Sequence, residues 1–238
     1  MLKNKIAYIT GGTKGIGFGI ARVLLEAGMK VAISGRKLEN AEVSAKQLCQ
    51  DTSRMLALQS DVRNFEDEVR ALQQVKDYFG GVDLVVSNAG IGRFASVDEL
   101  SPEAWHEMID TNLNGVFHTL KASVELLKKS KGYFISIASL AGSHVFAQGA
   151  GYNASKFGAV GFTQAAMLDL RKYHIKVSTL LPGSVKSHFN ENIPSQDDDW
   201  KIQPEDIGSL IVDIIKMDPR VLPSKIEIRP TLPKLYDN

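Results

Sequence analysis

Apolar residues recur along the chain in two alternating rhythms. Short runs rich in Val, Ile, Leu and Tyr lie near 5–9, 30–34, 55–60, 82–87, 132–137, 175–181 and 225–229, and most are continuous rather than alternating. Between them, segments near 16–28, 38–50, 64–79, 103–129, 152–172 and 205–216 repeat apolar positions at the spacing of a helix face. Short apolar runs separated by helical segments are βαβ units, and a strand that is apolar on both sides belongs to a sheet covered on both faces. The pattern predicts an α/β fold: one doubly wound domain over 1–238, with a mostly parallel seven-stranded sheet and helices on both faces. The fourth helical segment opens with Ser101-Pro102-Glu103, a hydroxyl cap followed by a proline at the first helical position. Ligands of such folds sit beyond the carboxyl ends of the strands, so chemistry is expected in the loops Thr10–Gly17, Asn88–Phe94 and Ser139–Ala150. The polar stretch 188–200, with Asp197-Asp198-Asp199, has weak periodicity and reads as a mobile acidic lid, and 230–238 as a proline-rich tail.

Composition removes several classes of partner. Apolar residues make up 44% and charged residues 23%, with 20 Gly and 8 Pro, which is an ordinary globular balance. Because 28 Lys and Arg face 27 Asp and Glu, no bulk field exists to hold nucleic acid or an anionic membrane, and neither is expected as a partner. The single Cys49 excludes an internal disulfide and fits a reducing, cytoplasmic setting; no Cys/His cluster has metal-ligand spacing, so no metal is expected. The run Ile6 to Ile9 ends at once in Thr10-Gly11-Gly12, too short for a signal peptide, and reads as a first strand. No apolar run approaches the roughly 18 residues that cross a bilayer.

Candidate chemistry begins in the first loop. Thr10-Gly11-Gly12-Thr13-Lys14-Gly15-Ile16-Gly17 leaves a strand and opens a helix, and its glycines let the backbone turn tightly against a pyrophosphate at the helix N-terminus. In dinucleotide folds the second strand usually ends in an acid that binds the ribose hydroxyls. Here it ends in Gly35-Arg36-Lys37, with Lys14 reaching from the glycine loop, an arrangement that suits the 2′-phosphate of NADP(H) better than NAD(H). A second cluster follows in Tyr152 and Lys156, whose i, i+4 spacing sets them on one helix face. An ammonium beside a phenol would draw its pKa down from about 10 towards neutrality. Ser139, thirteen residues before Tyr152 and just past a strand, is placed to donate to a substrate oxygen.

Taken together, these motifs resemble the short-chain dehydrogenase/reductase family, in the family's order from about Lys5 to Ser187. They are Thr10–Gly17, Asp61-Val62, Ser87-Asn88-Ala89-Gly90, Asn112-Leu113-Asn114-Gly115, Ser139, Tyr152 with Lys156, and Pro182-Gly183 followed by Ser187. The resemblance implies a Rossmann fold of the simple oxidoreductase branch, with carbonyl reduction as its favoured reaction. It implies that Tyr152 is the general acid/base, that Lys156 lowers its pKa and holds the nicotinamide ribose, that Ser139 holds the substrate oxygen, and that Asn112 anchors a proton relay. The cofactor would lie against Gly11, Thr13, Lys14, Gly15, Ile16, Gly17 and Arg36, with its adenine on Asp61 and Val62. Asn88, Ala89 and Gly90 would support it, and Pro182, Gly183, Val185 and Ser187 would meet the nicotinamide. Ser87 and Ser187 stand where the family often has Asn and Thr, and both changes are chemically mild.

The substrate end is read from residue type alone. Phe94, His144, Phe146 and Phe189 fall in the loops around it, along with Val145 and His188, and suit a medium-sized ketone or aldehyde. The acidic lid would disfavour an anionic carrier protein, although a 3-oxoacyl-thioester reductase would share every catalytic residue. A non-catalytic NADP(H)-binding sensor or scaffold is the reading from another class. Family members pack subunits through the helices at 103–129 and 152–172, which implies a homodimer or homotetramer. Val116, Phe117, Leu120, Val160, Phe162 and Met167 could serve either that interface or the core.

Overall fold

The computed structural model describes residues 2–232. Seven strands, β1 (Ile6–Ile9), β2 (Lys30–Gly35), β3 (Met55–Gln59), β4 (Leu84–Ser87), β5 (Tyr133–Ile137), β6 (Lys176–Pro182) and β7 (Lys225–Ile228), form one sheet in the order β3-β2-β1-β4-β5-β6-β7. Every pairing is parallel, so the expected mostly parallel sheet is wholly parallel. Its helices are α1 (Gly15–Glu26), α2 (Leu38–Leu48), α3 (Phe65–Phe79), α4 (Pro102–Ile109), α5 (Gly115–Ser130), α6 (Ala150–Leu170) and α7 (Pro204–Lys216).

Burial explains why the strands read as continuous apolar runs. β1, β4 and β5 are buried at every position, their side chains alternating between two cores. Ala7 and Ile9 pack with Ile20 and Leu24 of α1 and Ile207 and Ile211 of α7. Ile6 and Tyr8 face the other way, onto Leu72 of α3, Leu120 of α5 and Ala159 of α6. Only the edge strand β7 alternates, exposing Lys225 and Glu227 and half-burying Ile226 and Ile228. Val116 and Leu120 belong to the core, whereas Phe117 is exposed. Phe162 and Met167 are half-buried against the second core.

The segment expected as one helix over 103–129 is two. Between α4 and α5 the backbone makes a π-helical turn over Asp110–Asn114. A π turn carries an extra residue and breaks the 3.6-residue period without leaving a proline or glycine gap in the sequence. Its cause is tertiary: Gly115 comes so close to Val62 that an added Cβ would lie 2.7 Å from its side chain, while the buried Asn112 is drawn onto the loop after β4.

One buried group carries a stability consequence. Glu68 of α3 accepts from the Tyr8 hydroxyl (3.0 Å) and the Ser60 hydroxyl (2.6 Å), while its Oε2 is buried without a partner. Burial pushes its carboxyl above the ordinary value of 4.5. The folded state therefore holds this proton more tightly than the unfolded chain, and stability falls as pH rises above that ordinary value and through the folded pKa. Glu68→Gln removes the titration. The melting temperature of the variant relative to wild type should rise between pH 5 and pH 8; a constant gap would contradict a Glu68 carboxyl raised by burial.

Candidate active site

The winding direction reverses between β1 and β4, and the loops leaving their carboxyl ends lie side by side. Thr10 fastens them: its hydroxyl accepts the N–H groups of Asn88 (3.0 Å) and Ala89 (3.1 Å), and Asn88 Nδ2 donates to the carbonyls of Thr10 and Gly11, each at 3.0 Å. Gly11 and Gly15 have φ of 64° and 56°, in the left-handed region that favours glycine. A Cβ on Gly17 would lie 2.5 Å from both Asn88 Nδ2 and the Gly11 carbonyl. These approaches shape a concave backbone at the start of α1.

A cleft of about 970 Å³ opens from this point. It takes in Gly11, Thr13, Lys14, Gly15, Ile16, Arg36, Asp61, Val62, Asn88, Ala89, Gly90, Ser139, Tyr152, Lys156, Pro182, Gly183, Val185 and Ser187, and at its mouth Phe94, His144, Val145, Phe146, His188 and Phe189. Asn112 and Gly17 stand behind that lining. Gly17 is buried under Asn88, and Asn112 is fully buried.

The end of the cleft beside β1 and β2 suits a dinucleotide phosphate. Ser101 caps α4 and Asn64 caps α3, each through its own side chain, but α1 has no side-chain cap and no acid in its first turn. Its first N–H groups are left for an anion. Of the cations lining the cleft, Arg63 is held on Asp61 (2.5 Å), Lys201 on Asp198 (2.5 Å), Arg229 on Glu227 (3.0 Å) and Arg93 on Glu107 (3.5 Å). Lys14 and Arg36 form no ion pair among the described residues. Apart from Lys156, buried at the other end, unpaired positive charge in the cleft thus lies where β1 and β2 end. Asp61, kept below the usual carboxylate range chiefly by its hydrogen bonds from Arg63, is a committed acceptor.

The reacting end is built on α6. Tyr152 and Lys156 lie one turn apart and are both buried. Lys156 Nζ donates to the Ile137 carbonyl at 3.3 Å and sits 5.7 Å from the Tyr152 ring centre. Asn112 Nδ2 donates to the Ile91 carbonyl (2.8 Å) and the Ser155 hydroxyl (3.0 Å), and Oδ1 accepts the Ile91 N–H (2.9 Å). Ser155 in turn donates to the Tyr152 carbonyl (2.8 Å). Asn112 therefore ties the loop after β4 to the turn of α6 that carries Tyr152.

Electrostatics here differ from the sequence expectation. An adjacent ammonium was expected to lower the Tyr152 pKa; instead burial pushes the phenol up to about 12, opposed by a hydrogen bond with Ser139. The same burial brings Lys156 down to about 8. Desolvation disfavours the charged form of both groups, and the Lys156 ammonium is directed at the Ile137 carbonyl rather than at the phenol oxygen. Tyr152 thus holds its proton at neutral pH.

From the segment 188–200, expected as a mobile lid, His188, Phe189, Asn190 and Asn192 line the cleft mouth, and the segment is folded rather than irregular. Two short 3₁₀ turns, Phe189–Glu191 and Gln196–Asp198, order it, and Ser195 and Asp198 form a capping box. Its acidity is largely cancelled, because Lys186 pairs with Asp199 (2.6 Å) and Lys201 with Asp198. Ser187 is buried opposite Gly15, whose added Cβ would lie 3.3 Å from its own, and its hydroxyl accepts the Phe189 N–H (3.3 Å). Of the tail, Pro230 to Leu232 are described and 233–238 lie outside the described residues.

Sequence reading missed one network at the mouth. The Ser143 hydroxyl lies 2.9 Å from Glu227 Oε1, 2.8 Å from His144 Nδ1 and 3.2 Å from the Leu140 carbonyl, joining the turn after β5 to the edge strand β7. Glu227 lies on β7, 84 residues from Ser143, and no local pattern links them.

Known proteins agree with this architecture. The family model described as short chain dehydrogenase matches residues 5–198. An uncharacterized oxidoreductase of Staphylococcus aureus is 31% identical over 97% of this chain and 99% of its own length. An alcohol dehydrogenase from the archaeon Thermococcus sibiricus, solved with 5-hydroxy-NADP, superposes with a TM-score of 0.90 at 30% identity, covering 96% of this chain and 97% of that one. A 3-ketoacyl-(acyl-carrier-protein) reductase from Brucella melitensis, solved with NADH, shares the fold at a TM-score of 0.88 and 23% identity, over 97% and 99% of the two chains. The chain belongs to the short-chain dehydrogenase/reductase family and is an oxidoreductase of that family. Among the described residues no helix is long and apolar enough to cross a membrane, and no three His, Cys, Asp or Glu side chains are grouped to hold a metal ion.

Proposed function

We propose that this protein is an NADP(H)-preferring oxidoreductase that moves a hydride between nicotinamide and an uncharged ketone or aldehyde, or the matching secondary alcohol. The observation that carries the reading is the arrangement along one cleft. An uncapped helix N-terminus and two unpaired cations stand at one end, and Ser139, Tyr152 and a buried Lys156 at the other. The T. sibiricus relative, solved with an NADP derivative, supports the cofactor class.

Lys14 and Arg36 would hold the 2′-phosphate, the first N–H groups of α1 the pyrophosphate, Asp61 and Val62 the adenine, and Ser187 the nicotinamide side. Reduced nicotinamide bound there supplies the hydride. Ser139 and Tyr152 donate hydrogen bonds to the carbonyl oxygen as negative charge grows on it, and Tyr152 releases its proton to that oxygen. Lys156, with its Nζ 5.7 Å from the Tyr152 ring centre, would supply positive charge close to the resulting phenolate. Asn112 keeps the Tyr152 turn in register with the loop after β4.

Pairing of Arg93, Lys201 and Arg229 leaves the mouth without a free basic patch, which weighs against an acidic carrier protein. A scaffold role gives no reason to bury Lys156 at the cost of desolvating its charge. The exposed Phe117, Phe157 and Leu168 on α5 and α6 are the surface a homo-oligomer of the family's kind would cover.

NADPH oxidation, followed by its near-ultraviolet absorbance over a panel of aldehydes, ketones and 3-oxoacyl thioesters and repeated with NADH, tests the reading. Turnover of free carbonyls with NADPH ahead of NADH is expected. Tight NADPH binding with no turnover would favour a sensor, and preference for carrier-linked thioesters would favour the acyl reductase.

A further inference from the structure

Two loops bring aromatic rings onto the tyrosine, and a third sets another beside them. Phe94, after β4, meets the Tyr152 ring edge-on at 5.5 Å between centres and Phe146, before α6, edge-on at 5.6 Å. Phe189, from the segment over the mouth, lies 5.5 Å from Tyr152 and 6.4 Å from Phe94. Gly92 lets Phe189 in, since an added Cβ would lie 2.6 Å from Phe189 Cζ. The cage is incomplete as it stands: Phe94, Phe146 and Phe189 remain 39%, 46% and 37% exposed at the cleft mouth. Large apolar rings left this open around a reacting group mark a surface that a ligand covers. The neighbouring charges are satisfied by each other, so this end offers aromatic edges and faces and little free charge.

Resting on the reductase reading, we propose that the substrate carbonyl carries an aromatic ring, seated among Phe94, Phe146 and Phe189 beside Tyr152. Aromatic edges attract π faces, so an aryl group gains here what a saturated ring of equal size does not. The preference belongs to the rings of this chain and is separable from the hydride chemistry.

Phenylacetone and cyclohexylacetone test it, because the methylene insulates the carbonyl in both and leaves their intrinsic reactivities alike. Wild type with NADPH should show kcat/KM several-fold to about tenfold higher for the phenyl ketone, the range an aromatic pair supports. Phe94→Leu should bring the ratio towards one, and Phe189→Leu provides an independent second variant on another loop. Equal or better use of the cyclohexyl ketone by wild type would overturn this inference while leaving the reductase intact. An unchanged ratio in both variants would overturn it equally. Absence of turnover with either ketone, and with the wider carbonyl panel, would overturn the reductase reading and this inference with it.

Discussion

Replacing Tyr152 by Phe should lower kcat for carbonyl reduction at least about a hundredfold, within the range general acid/base catalysis supplies, while the dissociation constant for NADPH stays nearly unchanged. The substitution deletes one oxygen and leaves the ring that packs against Phe94 and Phe189. Burial holds the phenol proton up to about pH 12, so it is present whenever a substrate oxygen arrives. What the variant lacks is a proton to give, and Ser139 alone cannot replace it, because its hydroxyl would then bear the whole developing charge. Steady-state kinetics and NADPH fluorescence titration read the two quantities separately. A variant retaining more than a tenth of wild-type turnover would remove Tyr152 from its assigned role.

Arg36→Ala should raise the KM for NADPH on the order of ten- to a hundredfold and leave that for NADH within about twofold, the loss expected for charge-assisted bonds to a phosphate. Combining it with Lys14→Ala should bring the two cofactors close to parity. Both side chains are exposed, so the wild-type preference should shrink with added salt. Arg63, although near, is already held on Asp61 and should not compensate. Higher wild-type efficiency with NADH than with NADPH would contradict the assignment.

The fold was legible because its strands are buried on both faces and its helices on one. Seven apolar runs and six helical segments appear where the chain forms them, with outer ends shifted by at most two residues. What escaped was the interruption at Asp110–Asn114, since a π turn is imposed by the approach of Gly115 to Val62 and by the pull of Ile91 on Asn112. The glycine loop and the Tyr152/Lys156 pair were legible as local spacings, and the structure brings them to one cleft.

The state of that pair was not legible. Spacing shows that two groups share a helix face; burial, which raises one pKa and lowers the other, depends on walls contributed by β5, α4 and the loops between. The acidic run 197–199 misled for a similar reason, because Lys186 and Lys201, which neutralise it, flank the run and only folding brings them onto it. The link from Ser143 to Glu227 has no local signature.

The most direct test of the central claim is transfer of the label. With NADPH deuterated at the transferable nicotinamide position and an aldehyde or ketone that turns over, mass spectrometry of the product should find the deuterium on the carbinol carbon. Tyr152→Phe should form almost no labelled alcohol despite binding the cofactor. Product alcohol without deuterium at that carbon, or labelled alcohol formed equally well by the variant, would contradict hydride transfer coupled to a proton from Tyr152.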